Sequence, residues 1–228
     1  MTHLPHPRSV TGMLDTQRGE RVREAGGACA TGASIIAIGG FATQGAQAST
    51  GVSDQVWSYP WSPETSIWIS LSWAFAQALL VVGALGLRRS SAAGSTRAAR
   101  LGLTLAVLGT SLIVVGHLAS IPVRDQSIHA TGPQIVGAVF GLGTVLSAIG
   151  FLVAGSATVK AKRWYGWRRF APLALGVWTL ALIGLEFTKA LPTAVGIYAL
   201  CFLALGIALR TRPSPASQAS RTQVAQGV

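Results

Sequence analysis

Six long apolar stretches alternate with short polar segments along this chain. They lie near residues 25–46, 65–87, 101–122, 133–158, 170–188 and 191–209. Each is close to the roughly 20 residues that an α-helix needs to cross the hydrocarbon core of a bilayer. The pattern predicts an all-α fold, a polytopic bundle of six transmembrane helices over residues 25–209. Residues 1–24 are predicted to be a disordered basic cytoplasmic tail, and residues 210–228 a second disordered cytoplasmic tail.

Positive charge is confined to alternate segments between these stretches. Of the 18 Lys and Arg residues, 16 lie in the two tails and in the second and fourth segments, and only Arg124 and Lys189 lie elsewhere. Positive residues stay on the cytoplasmic side of a membrane. The charge pattern therefore predicts six spans with both termini in the cytoplasm. Arg also outnumbers Lys by 15 to 3, which favours a bacterial source and hence the inner (plasma) membrane.

The composition narrows the class of partner. Half of the residues are hydrophobic, 11% are charged and the net charge is +11. In a soluble protein such a charge would indicate a nucleic-acid partner, but here the cations flank apolar stretches. Membrane lipids, with anionic headgroups at the cytoplasmic face, are the predicted partners, and no nucleic acid is expected. Residues 160–169 combine five cations with Trp164, Tyr165 and Trp167, which predicts a lipid-interface segment.

The first apolar stretch has two interpretations. It is rich in Gly and Ala, follows a basic segment and ends in Ala46-Gln47-Ala48, as a signal peptide does before its cleavage site. In that case the mature protein would have five spans. The alternative is a true first helix, which an internal repeat favours.

The repeat appears when Arg23, Arg100 and Arg169 are aligned. Matching residues in the first and third spans then include Gly32/Gly109, Ser34/Ser111, Ile36/Ile113, Gly39/Gly116 and Ala42/Ala119. The fifth span follows more loosely, and the even-numbered spans align around Gly83, Gly150 and Gly206. The hypothesis is three helical hairpins related by duplication. Its alternative is chance similarity between Gly- and Ala-rich helices.

Ionisable groups within or beside the spans are the candidate functional residues. In the repeat alignment, Gly40, His117 and Glu186 share one position, 17 residues beyond the aligned arginines. One hypothesis places His117 and Glu186 on a shared outward-opening cavity, and the other places both at the headgroup boundary. The full candidate outer-face polar site comprises Asp54, His117, Asp125, His129 and Glu186. Their spacing matches no metal-ligand motif, so neither a metal nor another cofactor is predicted.

Three aromatic residues follow the first span. Trp57, Tyr59 and Trp61 alternate with small and polar residues. They predict a lipid-interface belt, and the alternative is an ordered cap over the bundle. Gln77, near the middle of the second span, predicts an interhelical hydrogen bond. Gly137 and Gly141 form a Gly-x-x-x-Gly pair, which favours intramolecular packing over a homo-oligomer contact.

One stretch resembles a known group of proteins. Residues 116–155, together with Ser53-Asp54 after the first span and His129 just before the fourth, are similar to an uncharacterised six-span bacterial membrane family. The turn after the third span, Ile121-Pro122 followed by Asp125, is a looser version of the family's apolar-Pro-acidic turn. The resemblance covers about half of the chain. It implies six helices and supplies no activity.

Two functions are left open by the sequence. The first is a non-enzymatic, transporter-like or accessory bundle with an outward-facing polar cavity. The alternative is a membrane-embedded, metal-dependent or acid–base hydrolase acting on lipids with outer-face His and Asp residues. No catalytic spacing is present to favour the enzyme, so the first function is preferred.

Overall fold

A computed structural model describes residues 8–186 and 188–211 of the chain, and their side chains from residue 16 onward. Six long helices are present: α1 (Arg8–Gln47), α2 (Pro63–Arg89), α3 (Arg97–Ser120), α4 (Thr131–Ala161), α5 (Ala171–Leu185) and α6 (Leu191–Arg210). Short 3-10 turns cover Ile121–Val123 and Gly166–Phe170. The predicted all-α, six-helix fold is confirmed. Six helical segments are long and apolar enough to cross a membrane, so the chain is a multi-pass membrane protein.

The helices form a closed ring. Each packs against the next in chain order, and α6 returns to pack along α1. The chain alternates in direction, so both described ends and the α2–α3 and α4–α5 connections lie at one end, here called the terminal end. The α1–α2, α3–α4 and α5–α6 connections lie at the other, the distal end. By the charge pattern, the distal end is the predicted outer side.

Local sequence signals explain where the helices begin and end. The Ser62 side chain accepts a hydrogen bond from the Thr65 amide, and Pro63 occupies the first turn of α2. The Thr96 side chain accepts from the Ala99 amide in the same way at the start of α3. Helix α4 ends at Ala161 and is capped by Lys162, whose φ of 51° lies in the left-handed region. These caps fix both turns at the terminal end and the start of α2 at the distal end.

Close helix contacts in the first two hairpins share one register. Gly39 packs under the Trp73 ring, and at the aligned positions Gly116 packs under the Phe140 ring. Three further contacts pair off in the same alignment: Gly32–Ala76 with Gly109–Gly143, Cys29–Gly83 with Ala106–Gly150, and Ala25–Gly86 with Gly102–Val153. Because contacts between two helices recur every three to four residues, the four pairs reflect one shared register, and the duplication stays a prediction. The third hairpin differs, because Gly176 contacts α4 and Gly206 contacts α1.

Large apolar side chains cover the outer surface of the ring. Trp68 and Ile38 are each 72% exposed, which in water would be unfavourable. No atom comes within 4 Å of the position that a Cβ would take at Gly137 or at Gly141. The predicted intramolecular packing of these two glycines is therefore wrong. Gly143 and Gly150 make the close contacts of α4 instead.

Helix α1 is longer than the sequence indicated. It begins at Arg8, so residues 8–24, predicted to be disordered, are helical. Arg18 anchors this extension, donating to the Arg89 carbonyl oxygen at 2.9 Å and to Ser91 Oγ at 2.6 Å. The prediction failed because these partners are far away in sequence. The predicted disorder of residues 1–7 and 212–228 falls outside the described residues, and Thr211 extends from the end of α6.

Candidate functional site

The ring encloses a cavity of about 300 Å³ at its distal half. All six helices contribute to its wall, and Trp57 from the α1–α2 connection closes part of it. Helices α1, α3 and α5 supply Ile36, Ile113 and Leu182, which occupy one position in the repeat alignment. The floor and sides are apolar and aromatic, with a few polar groups among them. This composition is typical of a small-molecule site.

A buried hydrogen bond joins two walls of the cavity. Gln77 Nε2 on α2 donates to the Tyr198 hydroxyl on α6 at 3.3 Å, and Gln77 is 2% exposed. The predicted interhelical hydrogen bond of Gln77 is confirmed. Both side chains line the cavity, as does Thr179, whose hydroxyl donates to the Leu175 carbonyl oxygen of its own helix at 2.7 Å.

The His117 ring lies between two aromatic rings on the cavity wall. Its centroid is 5.5 Å from that of Trp73 and 5.0 Å from that of Phe140, with edge-on angles of 71° and 74°. Within the described residues, no hydrogen-bond partner faces its ring nitrogens. His117 is therefore positioned by ring packing on the cavity wall.

Glu186 lies at the mouth of the cavity, directly after α5. Its side chain is half-buried, and none of the residues in the described ranges pairs with its carboxylate. The nearby cation Lys189 is exposed. The structure thus brings His117 and Glu186 together on one cavity, whereas Gly40, their aligned counterpart, packs against Pro192 and Gly196 of α6.

Two distal connections pair to form a cap. Val56 and Ser127 make an antiparallel bridge, with the Trp57 amide donating to the Gln126 carbonyl oxygen and the Ser58 amide donating to that of Arg124, both at 3.0 Å. Arg124 donates to the Ile121 carbonyl oxygen at 2.8 Å and so fixes the turn after α3. The cap explains why Trp57 faces the cavity.

The other predicted site residues lie on the outside of this cap. Asp54, Asp125 and His129 are exposed on the two paired connections and do not line the cavity. In the described part of the chain, no three His, Cys, Asp or Glu side chains gather as a metal-ligand set. The five-residue site therefore divides into two cavity residues and three cap residues.

The aromatic residues predicted for the lipid interface also divide. Trp57 lines the cavity instead, and Tyr59 and Trp61 are half-buried in the cap. Trp164 is buried, with the Arg168 guanidinium 5.1 Å from its ring centroid. Only Tyr165 and Trp167 are exposed, at 51% and 53%. The lipid-interface prediction misplaced Trp57, whose segment pairs with the distant Gln126, and Trp164, which is buried.

Comparisons with protein-family models, with curated proteins and with solved structures find no match to this chain. The resemblance to a six-span bacterial family therefore stays a prediction, and the site must be interpreted from its own chemistry.

Sequence reasoning missed several cavity residues. Trp73, Phe140, Thr144, Thr179 and Tyr198 all line the wall. A signal was present in the repeat: Trp73 aligns with Phe140, and Gln77 aligns with Thr144, when Gly83 is matched to Gly150. Tyr198 had no such signal, because α6 does not share the register.

The Gln77–Tyr198 hydrogen bond gives a first testable prediction. Tyr198→Phe and Gln77→Leu should each destabilise the protein, and a double-mutant cycle should yield a coupling of about 0.6 kcal/mol, with ~1.7 kcal/mol as the upper end for such bonds in membranes. Unfolding by a denaturing detergent, followed by circular dichroism, measures it. A coupling of zero would show that the two groups do not bond in the folded protein.

Proposed function

We propose that this protein is a non-enzymatic, transporter-like membrane bundle that binds one small, largely apolar molecule with a single polar end. The observation that carries the proposal is the cavity of about 300 Å³ enclosed by six helices, with aromatic walls and unpartnered polar groups toward its mouth. Elsewhere in the ring the helices are in close contact, with glycines packed directly against the backbone of the neighbouring helix. A bundle with a purely structural role would fill the cavity with side chains in the same way.

The size and chemistry of the cavity limit its ligand. A volume of 300 Å³ corresponds to about ten water molecules at liquid density, or a molecule of similar heavy-atom count. Trp57, Trp73 and Phe140 suit an apolar body. His117, Gln77 and Glu186 are the groups that would fix a polar end. The mouth lies at the distal end, which the charge pattern predicts to be outside.

A cavity-filling variant tests this function. Gly137 lines the cavity and has open space around it, so Gly137→Phe should occupy the ligand's volume without disturbing the fold. Gly141→Phe is the matched control, since it lies one helical turn further along α4, is equally open and does not line the cavity. We expect native mass spectrometry of the protein released from detergent to find a co-purifying small molecule in the wild type and in Gly141→Phe, but not in Gly137→Phe.

The comparison of the two variants has two distinguishable outcomes. Loss of the bound molecule in Gly137→Phe alone, with unchanged helicity, supports a cavity ligand. An equal amount of the same molecule in both variants would place it on the outer surface and overturn the proposal, as would its absence from the wild type in native-membrane nanodiscs.

A lipid-directed hydrolase is the weaker candidate. The three exposed cap residues, Asp54, Asp125 and His129, do not converge with the two cavity residues. No observation therefore favours an enzyme over a binding bundle.

We also propose that anionic lipid headgroups bind at the terminal end, as the charge pattern predicts for a cytoplasmic face. Arg18, Arg21 and Arg89 converge with Gln17 around a pocket, and no carboxylate is among the described residues that line it. Three guanidinium groups in one concavity favour a phosphate group. Arg21→Gln should reduce the anionic phospholipid retained in native mass spectra, whereas Arg97→Gln, an exposed cation outside this pocket, should not. Equal retention would argue against the pocket.

A further inference from the structure

We infer that the ligand of the cavity is an organic cation, an amine or quaternary ammonium group on a compact apolar body. This inference rests on the proposed function and adds the charge of the ligand. It follows from the charged groups that line the cavity wall, and from the aromatic side chains that line the same cavity as the carboxylate.

Among the described residues that line the wall, Glu186 is the one carboxylate, His117 is the one imidazole, and there is no Lys or Arg. The side chain of Glu186 lines the cavity and is half-buried, and no residue in the described ranges pairs with its carboxylate. A carboxylate on a cavity wall attracts a positively charged group. Within the described residues, neither Arg124 nor Lys189 forms an ion pair with it: Arg124 donates to the Ile121 carbonyl oxygen, and Lys189 is exposed to solvent. A cationic ligand would supply the missing partner.

The aromatic side chains favour an organic cation over a metal ion. Trp57, Trp73 and Tyr198 line the same cavity as Glu186, and aromatic faces attract ammonium groups, Trp most strongly. A bare metal ion would need several oxygen or nitrogen ligands, and the described residues contain no group of three His, Cys, Asp or Glu side chains. The apolar remainder of the wall, including Ile36, would contact the body of an organic cation.

An isosteric pair of probes isolates the charge. Benzyltrimethylammonium and neopentylbenzene have the same shape and differ by one positive charge. The protein in lipid nanodiscs is titrated with each, and binding is followed by tryptophan fluorescence, because Trp57 and Trp73 line the cavity. Only the part of the fluorescence change that is lost in Gly137→Phe is counted as cavity binding. This subtraction removes the contribution of probe that partitions into the lipid.

We expect the wild type to prefer the cation and Glu186→Gln to lose at least about tenfold in cation affinity, since a charge pair at low dielectric is strengthened. Affinity for neopentylbenzene should stay within about twofold, because its apolar contacts are unchanged. Glu64→Gln is the control: it removes an exposed carboxylate at the same end of the protein but away from the cavity wall.

Each outcome separates this inference from the proposed function. If Glu186→Gln binds both probes as the wild type does, the cation inference is wrong and the cavity-binding function stands. If the neutral probe binds more tightly than the cation in the wild type, the inference is also overturned. If the cation binds equally to wild type and Gly137→Phe, it does not occupy the cavity, and the proposed function loses its support as well. A loss of affinity for the cation alone in Glu186→Gln supports both the cation inference and the proposed function.

Discussion

Replacing Gly150 by alanine should destabilise the protein by roughly 1–3 kcal/mol, the usual range for overpacking a close contact. A Cβ at this position would lie 2.7 Å from Ala106 Cα and 2.8 Å from the Gly102 carbonyl oxygen. Both are backbone atoms, so no side chain can rotate away and α3 must separate from α4. The same substitution at Gly141 should leave stability within ~0.5 kcal/mol, because that position is open.

The two variants form a matched pair, since they change the same residue type in the same helix. Their unfolding in mixed micelles of mild and denaturing detergent, monitored by circular dichroism, gives the difference in free energy. Gly83→Ala extends the test, because Gly83 meets Cys29 at the aligned position of the first hairpin. We expect it to behave like Gly150→Ala. Equal stability of Gly150→Ala and Gly141→Ala would disprove the α3–α4 packing described here.

A chain that begins at Ser49, as cleavage of a signal peptide would leave it, should fail to form a stable bundle. Helix α1 packs against both α2 and α6 and supplies Ile36 to the cavity. Its loss would leave the faces of Gly86 and Gly206, which contact Ala25 and Gly26, without partners. In membranes such small-residue faces are where helices associate, so the ring would be open.

Two measurements check this expectation. The intact mass of the membrane-purified protein should retain residues 1–48, and a reporter fused after Ala48 should be recovered as an uncleaved precursor. The shortened chain should be degraded or aggregate, whereas one lacking only residues 1–7 should accumulate. A stable, monodisperse protein that begins at Ser49 would establish the signal-peptide interpretation instead.

The helices were predictable because membrane spanning imposes a strong local signal. An apolar stretch of about 20 residues indicates a membrane-spanning helix whatever segments lie beside it. Five of the six predicted spans agree with α2–α6 to within a few residues. Helix α1 was underestimated, since its first turns are polar and are held by Arg18 bonding to Arg89 and Ser91. Such contacts between distant residues leave no periodic signal in sequence.

The candidate site was predictable only in part. His117 and Glu186 stood out as ionisable residues at aligned positions, and both lie on the cavity wall. Asp54, Asp125 and His129 were grouped with them because they share a side of the membrane. Residues on the same side of a membrane need not line the same cavity, however. The cap, in which Val56 pairs with Ser127, leaves these three residues exposed and covers the cavity that His117 and Glu186 line. That pairing depends on loop geometry, which residue type alone does not reveal.

The contact between the first and last helices has a consequence for biosynthesis. Gly26 and Gly40 of α1 pack on Gly206 and Gly196 of α6, which are synthesised after the other five helices. Until then α1 has only α2 beside it, and its second small-residue face is open to lipid or to membrane chaperones. The cell therefore has an early, exposed marker of an unfinished chain, and that marker disappears when α6 inserts. Nonsense or frameshift products lacking α6 would keep it and be open to membrane proteases.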